Sequence, residues 1–132
     1  VEDDRDDQFI MEKIFQGMGV PNQRVYFTSC DDAFTYLQTT MVQPCIIISD
    51  VNLPRQSGIE FKRQIDQDPE LRMRSIPFVF LSTSAEPKSV TEAYTKMTVE
   101  GFFQKPDTYE KLTQTIQLII DYWLLCKHPN SA

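Results

Sequence analysis

Glu2, Asp3, Asp50, Ser82 and Lys105 each stand at the end of a short run of β-branched or aromatic residues. Val1 precedes the first pair, residues 45–49 precede Asp50, Phe78 to Leu81 precede Ser82, and Gly101 to Gln104 precede Lys105. Three carboxylates brought together repel one another, and no cluster of positive residues nearby cancels them all. A hard divalent cation would. Mg²⁺ takes oxygen ligands and keeps waters, so a few carboxylates with an open side suit it. An open Mg²⁺ beside a carboxylate, a hydroxyl and an amine suits a phosphoryl group. The carboxylate can be the nucleophile, giving an acyl phosphate. Mg²⁺, the Ser82 hydroxyl and the Lys105 ammonium would then hold the phosphoryl oxygens.

That site forms only if one architecture collects the strand ends. Residues 25–28, 45–49, 78–82 and 101–104 read as strands, and the middle two as buried on both faces. Helical patterns alternate with them. Met11, Ile14, Phe15 and Met18 share a face between about Asp6 and Gly17, where Gly17, Gly19 and Pro21 end the helix. Ala33, Phe34 and Leu37 mark a second helix, and Ile59, Phe61, Lys62 and Ile65 a third. Val90, Ala93, Tyr94 and Met97 mark a fourth. Pro106 opens a fifth, with Tyr109, Leu112, Ile116, Ile119, Ile120 and Trp123 on its core face. Strict alternation predicts an α/β fold on a parallel sheet with right-handed crossovers. Ligands of such sheets bind beyond the carboxyl ends of the strands. The acidic cluster has only Val1 ahead of it, so Val1 is expected to be the last residue of a first strand that lies largely outside the sequence.

Composition narrows the function classes. The chain has 132 residues, the size of one domain, and its 41% hydrophobic content excludes a disordered acidic tail. No apolar run approaches the length of a membrane span. The net charge is −6, and residues 1–7 hold −4 of it. That balance argues against a broad nucleic-acid-binding face. Glu2 and Asp3 belong to the acidic pocket, whereas Asp4, Asp6 and Asp7 sit where a helix starts and favour its dipole. Cys30, Cys45 and Cys126 are odd in number and contain no CxxC pair, matching reduced thiols in the cytoplasm. The one histidine, His128, lies in a polar tail, which disfavours Ser-His or Cys-His hydrolysis.

Four stretches carry a family resemblance: Val-Glu-Asp-Asp (1–4), Ile-Ser-Asp-Val-Asn-Leu-Pro-Arg-Gln-Ser-Gly-Ile-Glu (48–60), Ile-Pro-Phe-Val-Phe-Leu-Ser-Thr-Ser-Ala (76–85) and Gly-Phe-Phe-Gln-Lys-Pro (101–106). The chain resembles the receiver domain of two-component response regulators over its whole length. The resemblance implies a flavodoxin-like (βα)₅ three-layer sandwich with a parallel five-stranded sheet of order 2-1-3-4-5, the first strand largely missing. It implies a single receiver domain over residues 1–132. Asp50 looks like the phosphoacceptor. Glu2, Asp3, Asp50 and the Asn52 main-chain carbonyl look like the Mg²⁺ ligands. Ser82 is similar to the hydroxyl residue that closes onto the phosphoryl group, and Lys105 to its ion-pair partner. Phe102 falls at the aromatic switch position, and Asn52 and Ser84 where dephosphorylation is tuned. Glu2, Ser82 and Phe102 stand where many members carry Asp, Thr and Tyr, and Phe102 has no hydroxyl with which to report a switched state.

The expected function is a cytoplasmic switch rather than a turnover enzyme. It would take a phosphoryl group from a histidine kinase or phosphotransfer protein and alter a surface that binds a downstream protein. No direct nucleic-acid or membrane contact is expected. Two alternatives are an unphosphorylated receiver-like scaffold and a phosphatase of the haloacid dehalogenase type. The second needs an acidic residue where Asn52 stands. Leu118, Tyr122 and Leu125 lie opposite the core face of the last helix. They are read either as a frayed end under residues 126–132 or as a contact stripe. In the family, the face made by the fourth helix, last strand and last helix is a common dimer surface, so a homodimer there is an expectation. Phe9 points away from the first helix's core stripe, and the resemblance puts it near the donor.

Overall fold

The computed structural model describes residues 1–83, 86–96 and 99–125. The elements in chain order are α1 (Arg5–Gly17), α2 (Cys30–Thr39), β1 (Ile47–Ser49), α3 (Gly58–Gln67), α4 (Pro69–Arg74), β2 (Phe78–Ser82), α5 (Pro87–Lys96), β3 (Gly101–Gln104) and α6 (Tyr109–Leu125). β1, β2 and β3 form a parallel sheet in that order.

β2 explains the layers. All five of its residues are buried, as a central parallel strand requires. Its side chains alternate between faces. Phe78 and Phe80 pack with Cys30, Ala33 and Leu37 of α2, Phe61 and Ile65 of α3, and Ala93 of α5. Val79 and Leu81 pack on the other side with Ile14 and Phe15 of α1 and Leu112, Ile116 and Ile119 of α6. Helices therefore cover both faces.

Local chemistry sets the helix starts. Asp4, Ser29, Ser57 and Asp68 are N-caps whose side chains accept from main-chain N–H groups of the first turn. The sequence reading missed α4, although Asp68 followed by Pro69 is a start signal. The last helix begins at Tyr109 rather than at Pro106, because Thr108 accepts from the Lys111 and Leu112 amides.

Residues 25–28, read as a strand, carry no ladder. A ladder needs a partner running alongside, and among the described residues the main-chain hydrogen bond to this segment comes from Glu2. Glu2 N–H donates to the Phe27 carbonyl at 2.9 Å. On the other side the Val1 nitrogen donates to Ile48 O at 2.6 Å, and Asp50 N–H donates to Val1 O at 3.0 Å. Val1 and Glu2 thus bridge residues 25–28 to β1, at the place of the first strand in the order 2-1-3-4-5. A cavity of about 380 Å³ runs from there between the 23–27 segment and Ile46 to Ile48. The 45–49 strand is also shortened to Ile47–Ser49. Arg24 and Tyr26 are instead held by Glu12 of α1, which accepts from Arg24 Nε at 2.8 Å, Arg24 Nη2 at 2.6 Å and Tyr26 Oη at 2.8 Å.

Tyr109, expected on the core face, is 54% exposed. It is the first residue of α6, ahead of Leu112, Ile116 and Ile119, which share a buried cluster with Val79 and Leu81. Leu118 and Tyr122 are exposed as the wheel predicts, and so is Phe9, beneath the Lys13 ammonium. Ser84, Met97, residues 126–132 and the Leu125 side chain lie outside the described part. No described helix is long and apolar enough to cross a membrane.

Candidate functional site

Asp50 follows β1 directly and is 9% exposed. Three main-chain contacts fix it. Its N–H reaches Val1 O, its carbonyl accepts the Ser49 hydroxyl at 2.9 Å, and its Oδ1 accepts Asn52 N–H at 3.1 Å. The loop then turns tightly back. Arg55 takes a left-handed conformation with φ of 67°, and Gly58 N–H donates to Val51 O at 2.8 Å. A Cβ on Gly58 would sit 2.0 Å from Asp50 O, so only glycine lets α3 start this close to the acidic residue.

Glu2 and Asp3 approach Asp50 from the chain segment before α1. The Glu2 backbone is held on both sides, by Phe27 O on its N–H and by Gln8 Nε2, which donates to its carbonyl at 2.6 Å. One carboxylate oxygen from each of Glu2, Asp3 and Asp50 lies within 4.8 Å of the others. Lys105 comes from the far end of β3. Its N–H donates to Ser82 O at 2.5 Å, which ties the ends of β2 and β3 together. Its Nζ lies 2.5 Å from Glu2 Oε1, 3.5 Å from Asp7 Oδ2 and 3.8 Å from Asp50 Oδ2. Ser82 is fully buried at the end of β2.

The charges do not balance. Burial pushes the Glu2 carboxyl up to about 7; Lys105 pulls it down and Asp50 adds to the rise. Burial alone would lower the Lys105 ammonium, but the Glu2 hydrogen bond and the charges of Glu2, Asp50 and Asp7 outweigh it and raise its pKa. One ammonium among four carboxylates leaves excess negative charge on hard oxygen donors. That donor set fits a divalent cation of the Mg²⁺ kind. The nearby Cys30 thiol is pushed up to about 11 by burial, which keeps it un-ionised beside the site.

Glu2, Asp3, Asp50 and Lys105 therefore converge. Phe102 does not point into this cluster. Its ring packs 5.4 Å from Phe80, and its N–H donates to the Tyr94 hydroxyl of α5 at 3.0 Å. Asn52 is exposed beside Asp50. Sequence reasoning missed the parts that Asp7, Gln8 and Gly58 play. Asp7 was visible only as a helix-start carboxylate, although its first turn abuts the sheet edge that carries Lys105.

The profile of the family described as "Response regulator receiver domain" matches residues 1–117. The "Probable methanogenesis regulatory protein FilR2" of Methanothrix harundinacea (strain 6Ac) is 28% identical over 128 residues, 94% of this chain and 81% of that protein. Response regulator Rcp1 of Synechocystis sp. (strain ATCC 27184 / PCC 6803 / Kazusa) is 26% identical over 94% of this chain and 86% of its own length. The Mn²⁺-bound crystal form of Rcp1 superposes with a TM-score of 0.85 at 25% identity, over 99% of this chain and 96% of that one. The phosphorylated cyanobacterial phytochrome response regulator RcpA superposes with a TM-score of 0.87 at 28% identity, over 99% of this chain and 95% of that one. The flavodoxin-like α/β fold expected from the sequence is the fold of these neighbours.

Proposed function

The chain belongs to the response regulator receiver domain family, and from that premise we propose that Asp50 is its phosphoacceptor. The observation that carries this reading is the convergence of Glu2, Asp3 and Asp50 oxygens within 4.8 Å, with the Lys105 ammonium 3.8 Å from Asp50. An Asp50 oxygen attacks phosphorus of a phosphohistidine on a kinase or phosphotransfer protein. The P–O bond forms as the P–N bond breaks, and the imidazole nitrogen keeps the electron pair and takes a proton. Glu2, Asp3, Asp50 and the Asn52 carbonyl would hold Mg²⁺, which would neutralise charge on the phosphoryl oxygens. The Mn²⁺-bound form of Rcp1 supports a divalent cation here.

The phosphoryl group adds roughly −1.5 to −2 charge. Lys105 and the Ser82 hydroxyl move to it, and Phe102 follows because its strand is tied to β2 by Lys105 N–H. The readout is a protein-binding surface, with the face of α5, β3 and α6 as the seat of a homodimer or a downstream target. Asn52 and Ser84 tune loss of the phosphoryl group. Residues 1–132 act as one receiver domain in the cytoplasm, as a switch without substrate turnover and without direct nucleic-acid contact. Beryllofluoride with Mg²⁺ tests the reading by fluorine NMR. One bound fluoride complex per chain is expected, lost in Asp50→Asn and without Mg²⁺. Steady phosphate release from acetyl phosphate with no adduct would instead mark a phosphatase.

A further inference from the structure

The Lys105 ammonium is shared among three carboxylates that are not equivalent. Glu2 and Asp50, at 2.5 and 3.8 Å, belong to the cluster whose oxygens fit a cation. Asp7, at 3.5 Å, does not belong to it. It comes from the first turn of α1, and its side chain is 38% exposed against 14% for Glu2 and 10% for Asp50. We infer that Asp7 is a positioning residue that acts through Lys105, holding the ammonium from the α1 side and competing for it with the phosphoryl oxygens on Asp50. The inference rests on the phosphoacceptor reading and adds a control to it.

A lysine ammonium is a compact point charge on a flexible stem, with three donors to divide among its partners. Once a divalent cation draws on the oxygens of Glu2 and Asp50, Asp7 is the carboxylate left to retain Lys105. A phosphoryl group arriving on Asp50 must take the ammonium from it. The Asp7 charge also opposes the approach of an anionic donor. Both effects have one sign: Asp7 slows formation of the adduct and weakens binding of its mimics. Asp6 supplies the control. It lies in the same first turn with the same charge and dipole interaction, and is exposed.

The test compares wild type, Asp7→Asn, Asp7→Glu and Asp6→Asn as full chains at saturating Mg²⁺. Asp7→Asn is expected to tighten beryllofluoride binding and speed labelling by acetyl phosphate about threefold to fivefold, the range of a partly exposed ion pair. Asp7→Glu should return to the wild-type values, and Asp6→Asn should match wild type. In metal-free protein, nitrogen NMR of the Lys105 ammonium should shift in Asp7→Asn and not in Asp6→Asn. Equal or slower labelling in Asp7→Asn, an equal gain in Asp6→Asn, or an unmoved Lys105 resonance would overturn the inference while the wild-type adduct stands. A wild-type chain that forms no adduct would overturn the phosphoacceptor reading and this inference with it.

Discussion

Glu2 is the side chain whose environment is most at odds with its charge. Its carboxyl is raised from 4.5 to about 7, first by burial. A folded-state pKa above the unfolded value means that the native state binds the extra proton. Metal-free stability is therefore expected to fall as pH rises from about 4.5 to about 7, and Glu2→Gln to remove that slope. Mg²⁺ affinity runs the other way, because the cation needs the carboxylate. Isothermal titration should show affinity rising with pH up to about 7 and levelling above it. A flat profile would contradict the placement of Glu2. At this scale the sequence was informative where a residue type stands at a strand end: Glu2, Asp3, Asp50 and Lys105 meet as expected. It was uninformative about Asp7, whose contact depends on how α1 is rotated against β3. Tyr109 failed for a related reason, since a helical wheel assigns an angle but not which end of the helix passes over the sheet.

Among the elements, the loop from Asp50 to α3 leaves least room. Gly58 is placed against Asp50 O so closely that any side chain must push α3 or the acidic loop away. Gly58→Ala is expected to cost about 1–3 kcal/mol in urea unfolding, the usual range for overpacking, and to slow adduct formation at Asp50. Unchanged stability and labelling together would show that the loop relaxes freely. The helices other than α4 were legible because apolar periods are local signals, as at Ile59, Phe61 and Ile65. Residues 25–28 were not, because β-branched and aromatic content marks a strand while a ladder depends on what lies beside it. There the main-chain partner among the described residues is Glu2, through a single hydrogen bond to Phe27.

For the whole molecule, function depends on a sheet rigid enough to hold four separate chain segments at one edge. Phe61, Phe78 and Phe80 are fully buried, and their rings run in sequence at 5.9 and 4.9 Å to Phe102 at 5.4 Å. This aromatic row links α3 to the strand that carries Lys105. Phe61→Ala is expected to cost about 3–5 kcal/mol, read as a lower urea midpoint. A loss below about 1 kcal/mol would mean that the core collapses around the gap. The α/β class was readable from alternation, since helix and strand periods differ and a helix between consecutive strands carries the chain back to start a parallel neighbour. At that acidic edge Asp50 is the proposed phosphoacceptor. The most direct measurement treats the full chain with acetyl phosphate and Mg²⁺, reduces the adduct with borohydride and locates the modified residue by peptide mass spectrometry. Homoserine is expected at position 50 in a Mg²⁺-dependent fraction of chains. Homoserine at another carboxylate, or none under conditions that label a known receiver, would contradict it.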